Sequence, residues 1–196
     1  MNDFEASSVL WRRLIYMLTP QIDIYESIRK IVQGRRVLEI GFGTGLGVLQ
    51  YYNQAEYVDA VEIDEAAVSF ARKMMPLQNV RWLQDDISNP TRTYRGYDLF
   101  IMIEVLEHIT DRARTLEIIR DSLRLGGSGI LTVPNSNRYR RRIEPGNHAE
   151  WTPTSILADA GQVFSRVVCL DTALMPQEDL DHKESPVVIG VYRARD

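Results

Sequence analysis

The sequence of 196 residues has little cysteine, few lysines and no long apolar run. The single cysteine, Cys169, lies within an apolar stretch, which excludes a disulfide framework and a cluster of thiolate ligands for a metal. Apolar runs such as residues 99–103 are much shorter than the ~18–20 residues that span a bilayer, so neither a transmembrane helix nor a membrane partner is expected. Residues 1–5 lack the basic and apolar regions of a secretory signal, which makes the cytoplasm the expected compartment.

Charge and length narrow the class of protein further. Lys and Arg together number 23 and Asp and Glu 27, for a formal net charge of -4. The basic residues are nearly all arginine, because the only lysines are Lys30, Lys73 and Lys183. This mild acidity argues against a general nucleic-acid coat protein, although a net charge can conceal local patches. At ~100–200 residues per domain, we expect a single domain over residues 1–196, with a helical lid at 1–34 and an α/β core at 35–196.

Helical and strand-like patterns alternate along the chain. Apolar residues at steps of three and four predict helices over residues 4–18 and 20–32, the second with Thr19 as its N-cap and Gly34 at its end. The aromatic residues of this region, Tyr25 among them, are assigned to core packing or to a lid. Short runs rich in β-branched residues predict strands at 36–40, 57–62, 80–84, 97–104, 129–133, 163–170 and 186–192. Further helices are predicted from about 46, over 65–75, from a Thr110 cap to about 124, and from Thr152 to Gly161.

Strands that alternate with helices predict a parallel sheet, because parallel neighbours require long crossovers. We therefore expect an α/β fold, doubly wound and Rossmann-like, with a seven-stranded, mostly parallel sheet and helices on both faces. Only the segment 171–185 separates the last two strands, so they are expected to pair as a C-terminal antiparallel hairpin. Ligands of such folds bind beyond the carboxyl ends of the strands, which predicts a site near residues 40, 62, 84 and 104.

Three alternate glycines follow the first predicted strand. Gly41, Gly43 and Gly45 can adopt a positive φ and allow backbone amides to approach a ligand closely. The dinucleotide fingerprint would place a small residue at position 46, where the sequence has Leu46, and a Walker A motif is excluded because no Lys-Ser/Thr pair follows. With Glu39 before it, the tight turn suits a small, positively charged ligand. The alternative is a turn that only joins a strand to a helix.

Carboxylates stand at the ends of the next two predicted strands. Glu62 lies 21 residues after Gly41, where an acid can accept hydrogen bonds from both hydroxyls of an adenosine ribose. Asp64 is interpreted as the cap of the helix that follows. After the third strand, Asp86, with Asp85 as the alternative, is placed to accept the exocyclic amine of adenine, while the next backbone N–H faces a ring nitrogen.

Together these segments resemble the motifs of the class I S-adenosylmethionine (SAM)-dependent methyltransferases. VLEIGFGTG at 37–45 is similar to the first motif of that family, VEID at 61–64 to the second and QDDI at 84–87 to the third. YDLF at 97–100, leading into EVLEHI at 104–109, resembles the fourth motif. LRLGG at 123–127 resembles the turn before the fifth strand, with Leu125 where the family usually has proline. The resemblance covers roughly residues 35–170 and is closer to small-molecule O-methyltransferases of the ubiquinone-biosynthesis type than to enzymes acting on RNA.

The resemblance implies that SAM is the cofactor. By that resemblance, the three glycines line its methionine and ribose part, Glu62 binds the ribose and Asp86 the adenine. The residues assigned to the cofactor are Glu39, Gly41, Phe42, Gly43, Gly45, Glu62, Ile63, Asp85, Asp86, Ile87 and Glu104.

Candidates for the chemistry follow the fourth predicted strand. Glu104, Glu107 and His108 share one face if a helical turn starts there, and His148 can reach the same pocket from a later loop. Methyl transfer needs a general base only where the nucleophile is protonated, and His108, His148 and Glu104 are the candidates. The pattern also resembles the small-RNA 3′-terminal ribose 2′-O-methyltransferases, in which these four positions hold a hard cation. No metal is favoured here. In the interpretation without a metal, Glu107 and His108 orient a loop over the cofactor.

An arginine-rich segment follows the fifth predicted strand. Arg138, Tyr139 and three arginines at 140–142 suit either an anionic acceptor or a solvated loop that pairs with the acidic residues at 178–181. The sequence therefore predicts a SAM-dependent methyltransferase acting on a small-molecule acceptor, anionic acceptors included, with O-methylation favoured. Metal-assisted 2′-O-methylation of RNA and a non-catalytic SAM-binding module are the alternatives. The acceptor and the oligomeric state are not predicted.

Overall fold

A computed structural model describes residues 21–135, 152–177 and 187–194. The α-helices of this part of the chain are α1 (Gln21–Ile31), α2 (Leu46–Leu49), α3 (Glu65–Met74), α4 (Arg112–Ser122) and α5 (Pro153–Gly161), with a 3₁₀ helix at Leu106–His108. The strands are β1 (Arg36–Ile40), β2 (Tyr57–Glu62), β3 (Val80–Gln84), β4 (Tyr97–Ile103), β5 (Leu123–Val133), β6 (Arg166–Leu170) and β7 (Val187–Tyr192). No described helix combines the length and the hydropathy that a membrane-spanning segment requires.

All the described strands belong to one sheet, in the order β3-β2-β1-β4-β5-β7-β6. Strands β1 to β5 pair in parallel, whereas β7 is antiparallel to both of its neighbours, β5 and β6. The predicted seven-stranded, mostly parallel Rossmann-like sheet and its C-terminal hairpin are thereby confirmed. Strand order reverses between β1 and β4, so the carboxyl ends of these two strands mark the place where such folds bind ligands.

Apolar side chains cover both faces of the sheet. Leu38 and Phe100 belong to the core on one face, whereas Val37 and Leu99 belong to the core on the other, as the two-residue period of a strand requires. Strand β4 lies between two parallel neighbours and is buried on both faces, which explains its continuous apolar sequence from Leu99 to Ile103. Helix α1 packs on the second face through the fully buried Ile24 and Ile28.

Most predicted element boundaries hold, and the exceptions have local causes. Helix α4 is capped by Asp111 instead of Thr110, because the Asp111 carboxylate accepts a hydrogen bond from the Arg114 N–H at 3.2 Å. Strand β6 begins later than predicted, because the N–H of Val163 and that of Phe164 donate to the carbonyl of Ala160 and extend the turn that ends α5.

Strand β5 begins at Leu123, well before the predicted start at residue 129. Tyr97 pairs with Leu123, and Leu99 then pairs with Ser128, so β5 contains an irregularity in which Gly126 has a φ of 74°. The LRLGG segment is therefore a bulge within the strand and not a turn before it. The helix predicted at 4–18 and the Thr19 cap lie outside the described residues.

Candidate functional site

The glycine loop follows directly from the carboxyl end of β1. Gly41, Gly43 and Gly45 have φ angles of 72°, 54° and 80°. At Gly41 the loop also packs tightly against the segment after β4, because a Cβ atom there would lie 2.3 Å from Cγ2 of Val105. The loop thus depends on glycine both for its backbone angles and for close packing. Phe42, between the glycines, turns its ring into the core against Trp82 at a centroid distance of 4.9 Å, which leaves its backbone as the part at the loop surface.

Glu62, at the end of β2, connects its strand to the glycine loop. Gly43 N–H donates to Oε2 of Glu62 at 2.9 Å, while the N–H groups of Ile63 and Asp64 donate to Oε1 at 2.8 and 3.1 Å. A carboxylate offers about four acceptor positions, so these three bonds leave room for a further donor on Oε2. The side chain of Ile63 is 64% exposed beside it and offers an apolar surface.

Asp64 has the structural role predicted for it. Its carboxylate accepts a hydrogen bond from the Ala66 N–H at 2.8 Å and caps α3. The two acids of the VEID segment therefore have different roles. Glu62 contacts the glycine loop, and Asp64 accepts a hydrogen bond from a free backbone N–H at the start of α3.

The two aspartates after β3 differ sharply. Asp85 is buried and accepts hydrogen bonds from Thr91 N–H (2.9 Å), Thr91 Oγ1 (3.0 Å) and Tyr94 OH (2.8 Å), besides pairing with Arg92. Burial opposes ionisation of Asp85, but the hydrogen bonds from Thr91 and Tyr94 outweigh it and lower its pKa. Asp85 thus organises the loop 85–94 from inside.

Asp86 is only half-buried, and its hydrogen-bond partners are close in sequence. Oδ1 of Asp86 accepts from the N–H and the hydroxyl of Ser88 at 2.9 and 2.7 Å. Of the two aspartates, Asp86 is therefore the one whose carboxylate remains accessible at the edge of the sheet. Ile87, the next residue, is buried in the core, so only its backbone is available to a ligand.

Glu39 lies behind the glycine loop and not at its surface. Glu39 is 1% exposed; Tyr25 OH donates to its Oε1 at 2.7 Å and Tyr51 OH donates to its Oε2 at 2.8 Å. Burial raises the pKa of Glu39 to about 7, and the two tyrosine hydroxyls partly oppose this rise. The expected direct contact of Glu39 with a positively charged ligand is replaced by contacts within the core.

The acids and the histidine after β4 do not share one helical face, contrary to the expectation. Glu104 adopts a φ of 55° and ends the strand, and a 3₁₀ helix begins only at Leu106. In a 3₁₀ helix the side chains of adjacent residues diverge by about 120°. Accordingly the Glu107 side chain is 3% exposed, whereas that of His108 is 52% exposed, and His108 Nε2 lies 3.9 Å from Glu107 Oε1.

Both carboxyl groups have unusual electrostatics. Burial raises the pKa of Glu104, although a hydrogen bond from Thr132 partly opposes the rise. Burial also raises the pKa of Glu107, and the charge of Glu104 adds to this shift. Oε2 of Glu107 is buried without a hydrogen-bond partner among the described residues. Two acids that hold their protons toward neutral pH are groups that can accept or donate a proton in that range.

Thr132, which the sequence reasoning missed, holds Glu104 in place. Its Oγ1 accepts from the Glu104 N–H at 3.1 Å and donates to Oε1 of the same glutamate at 2.9 Å. Thr132 pairs with Ile103 on the adjacent strand. A polar residue inside an apolar strand was the available signal, but its partner becomes evident only from the strand register.

Two predicted features cannot be located here, because His148 and the arginine segment 138–142 lie outside the described residues. In the described ranges, no group of three or more His, Cys, Asp or Glu side chains has the arrangement of a metal site. The candidate site therefore consists of the glycine loop and the acids Glu62, Asp86 and Glu104 at neighbouring strand ends. Such a set suits a ligand that presents hydroxyl and amine donors and positive charge.

Comparisons with known proteins agree with this geometry. A family model for a methyltransferase domain matches residues 37–127. Two probable S-adenosylmethionine-dependent methyltransferases of Mycobacterium tuberculosis are 32% identical over 152 residues, which covers 71% of this chain and 53% of each relative. The ubiquinone biosynthesis O-methyltransferase of Coxiella burnetii is 23% identical over 125 residues, or 63% of this chain and 53% of the relative.

Solved structures show the same fold. A TehB-like SAM-dependent methyltransferase from Corynebacterium glutamicum superposes with a TM-score of 0.71 at 17% identity, and the match covers 97% of each chain. At that identity the likeness establishes the fold and nothing finer. The chain spans about half the length of the curated Mycobacterium tuberculosis and Coxiella burnetii relatives.

Proposed function

We propose that this chain, which belongs to the class I SAM-dependent methyltransferase superfamily, transfers the methyl group of SAM to a small-molecule acceptor. The observation that carries the proposal is Glu62: its carboxylate ties the end of β2 to the glycine loop and keeps an acceptor position on Oε2. That arrangement fits a ribose whose hydroxyl groups need an acceptor next to a loop of backbone amides.

In this proposal the cofactor lies across the carboxyl ends of three strands. Glu62 accepts from the ribose hydroxyls, Asp86 accepts from the adenine amine, and the Ile87 N–H faces a ring nitrogen. The exposed side chain of Ile63 packs on the adenine, and the loop 41–45 passes along the methionine portion. Support comes from the half-buried position of Asp86 and from the commitment of Asp85 to internal hydrogen bonds.

SAM supplies an activated methyl group on a sulfonium leaving group, so the protein must mainly align the acceptor and exclude water. Correct orientation can contribute ~7–11 kcal/mol toward the barrier. A hydroxyl acceptor must also lose a proton, and Glu104 is the described side chain best suited to take it. Thr132 Oγ1 donates a hydrogen bond to Oε1 of Glu104, and burial raises the pKa of Glu104 toward the range of a useful base. His108 and His148 remain further candidates for this role.

O-methylation of a small acceptor is the finer part of the proposal. It is supported by the glutamate pair after β4 and by the similarity to the Coxiella burnetii relative, whose name states O-methylation in ubiquinone biosynthesis. The arginine segment 138–142 extends the proposal to acceptors that carry negative charge. We further propose that the protein acts in the cytoplasm.

A screen of methyl acceptors with methyl-labelled SAM tests the proposal. We expect label transfer to a hydroxyl-bearing small molecule and a drop in kcat of about 10²-fold in Glu104→Gln, the scale of a lost general base. Glu117→Gln, at an exposed position of α4, is the matched control and should retain full activity. Turnover restricted to a 3′-terminal ribose and abolished by EDTA would instead support the RNA alternative. SAM binding without turnover on any acceptor would favour the binding module.

A further inference from the structure

A buried cluster of three polar side chains lies directly behind the glycine loop. The Glu39 carboxylate on β1 accepts one hydrogen bond from Tyr25 OH and one from Tyr51 OH, one on each oxygen. The two tyrosine rings are nearly parallel, with an interplanar angle of 9° and a centroid distance of 6.4 Å. All three residues are buried.

The cluster contacts the chain on both sides of the glycine loop. Glu39 precedes Gly41 by two positions, and Tyr51 follows α2, the short helix that the loop enters. Tyr25 also touches α2, because a Cβ atom at Gly47 would lie 2.2 Å from Cζ of the tyrosine ring. The strand before the loop and the helix after it are thus held to one tyrosine, which comes from α1.

A second contact joins α1 to the segment that follows α2. The Gln54 amide pairs with Arg29 in the orientation that satisfies both residues: its nitrogen donates to the Arg29 carbonyl at 2.6 Å, and its oxygen accepts from Nε at 2.7 Å. Helix α1 is therefore fastened at Tyr25 and again one turn later at Arg29, while Ile24 and Ile28 pack into the core. Its position relative to the loop is well defined.

We infer that Tyr25 and Glu39 are positioning residues of the cofactor site. Through these two residues, helix α1 keeps the glycine loop in the conformation that binds SAM. The inference rests on the proposed function, because it concerns the affinity of that same site. Neither residue needs to touch the cofactor.

The chemistry of the cluster favours a positioning role over simple filling of the core. A buried carboxylate is costly unless hydrogen bonds compensate, and an apolar side chain would fill the same space at lower cost. In return, hydrogen bonds to a carboxylate are short, directional and stronger than those between neutral groups. Two such bonds restrain the loop ends in a way that apolar packing alone does not.

Protonation of Glu39 should loosen the cluster. The groups that face this carboxylate are Tyr25 from α1 and Tyr51 from the segment after α2, and burial together with the charge of Glu39 keeps both hydroxyls protonated. Once protonated, the Glu39 carboxyl becomes a donor and can no longer accept from both tyrosines. Because its pKa is about 7, SAM affinity should fall as the pH drops below neutrality.

Calorimetric titration of SAM into matched tyrosine variants tests the inference. Tyr25→Phe and Tyr51→Phe should each weaken SAM binding about fivefold, the effect of one lost hydrogen bond. Tyr97→Phe is the control: it also removes a hydroxyl that donates to a buried carboxylate, that of Asp59, but at the amino end of β4. It should lower the melting temperature to a similar extent and change the SAM Kd less than about twofold. A fourth variant, Glu39→Gln, should abolish the fall in SAM affinity below neutral pH.

The outcomes distinguish a failure of the positioning role from a failure of SAM binding itself. Wild-type affinity in Tyr25→Phe, or an equal loss of affinity in Tyr97→Phe, would overturn the positioning role while leaving SAM binding intact. An unchanged pH profile in Glu39→Gln would also contradict it. If the folded wild-type protein binds no SAM, the proposed function fails first, and this inference fails with it.

Discussion

Adjacent aspartates after β3 differ in burial, and we expect single substitutions to separate a structural role of Asp85 from a ligand-binding role of Asp86. In Asp85→Asn an amide NH₂ would face groups that now donate to the carboxylate, among them Tyr94 OH and Arg92. We expect a loss of about 1–3 kcal/mol in the free energy of unfolding, measured in urea. Asp86→Asn should leave stability nearly unchanged but weaken SAM binding about tenfold, because one acceptor oxygen becomes a donor. The reverse pattern would show that the roles are misassigned.

Glycine substitutions can distinguish backbone strain from lost space. Gly34 and Gly41 have similar φ angles, 64° and 72°, but a Cβ atom at Gly34 would meet nothing within 4 Å, whereas one at Gly41 would collide with Val105. Gly34→Ala should therefore cost about 1–2 kcal/mol of stability and leave SAM binding unchanged. Gly41→Ala should cost about 2–4 kcal/mol and also weaken SAM binding, as thermal unfolding and calorimetry would report. Equal effects of the two variants on SAM affinity would contradict the close packing of the loop.

Sequence reasoning at the scale of residues succeeded where position along a strand decides the role. The sequence predicts that Asp64 caps a helix, because it immediately precedes a helical pattern, and the structure confirms this. The sequence also places Glu39 at the ligand, because it is close to the glycines. Alternate side chains of a strand point to opposite faces of the sheet, however. Glu39 points to the face where Tyr25 and Tyr51, from other elements, cover its carboxylate. Sequence spacing alone does not contain that information.

At the scale of elements, the raised pKa of Glu107 predicts that the link between β4 and α4 loses stability as the pH rises. Burial, and then the charge of Glu104, raises the pKa of Glu107 above its ordinary value of 4.5. The folded state therefore binds this proton more tightly than the unfolded chain does. The contribution of Glu107 to stability is greatest below the unfolded pKa and is lost as the pH rises toward the folded pKa.

Glu107→Gln should remove this pH dependence. Between about pH 5 and pH 7, the free energy of unfolding of the wild type should fall relative to that of the variant, by up to about 1.4 kcal/mol per pH unit. Urea unfolding at several pH values measures the difference, and Glu117→Gln on the exposed face of α4 is the control. Parallel stability curves for wild type and Glu107→Gln would refute the assignment.

Elements with a clear period were predictable, whereas local irregularities were not. The β-branched runs of β1, β2 and β3 set their boundaries, and the Thr152 cap with its N1 proline set the start of α5. The start of β5 was missed because a bulge at Gly126 interrupts the pattern. The shared face of Glu104, Glu107 and His108 was wrong because Glu104 adopts a positive φ before a 3₁₀ turn, a choice stabilised by Thr132 on another strand.

At the scale of the molecule, the sheet order brings together residues that are distant in sequence. The end of β2 adjoins the glycine loop on one side, and the end of β4 adjoins it on the other, with β5 next to β4. The alternation of elements predicted a parallel sheet, but the register that places Thr132 beside Glu104 depends on long-range pairing. The single-domain organisation, with residues 1–34 as a lid, stays a prediction.

The most direct test of the account is a calorimetric titration of SAM into the wild-type protein and Glu62→Ala, with Glu56→Ala at an exposed position as the control. We predict that the wild type and Glu56→Ala bind one SAM per chain, and that Glu62→Ala, verified as folded by its melting curve, binds about 10–100-fold more weakly. Undetectable SAM binding by the folded wild type, or equal affinity in Glu62→Ala, would contradict the account.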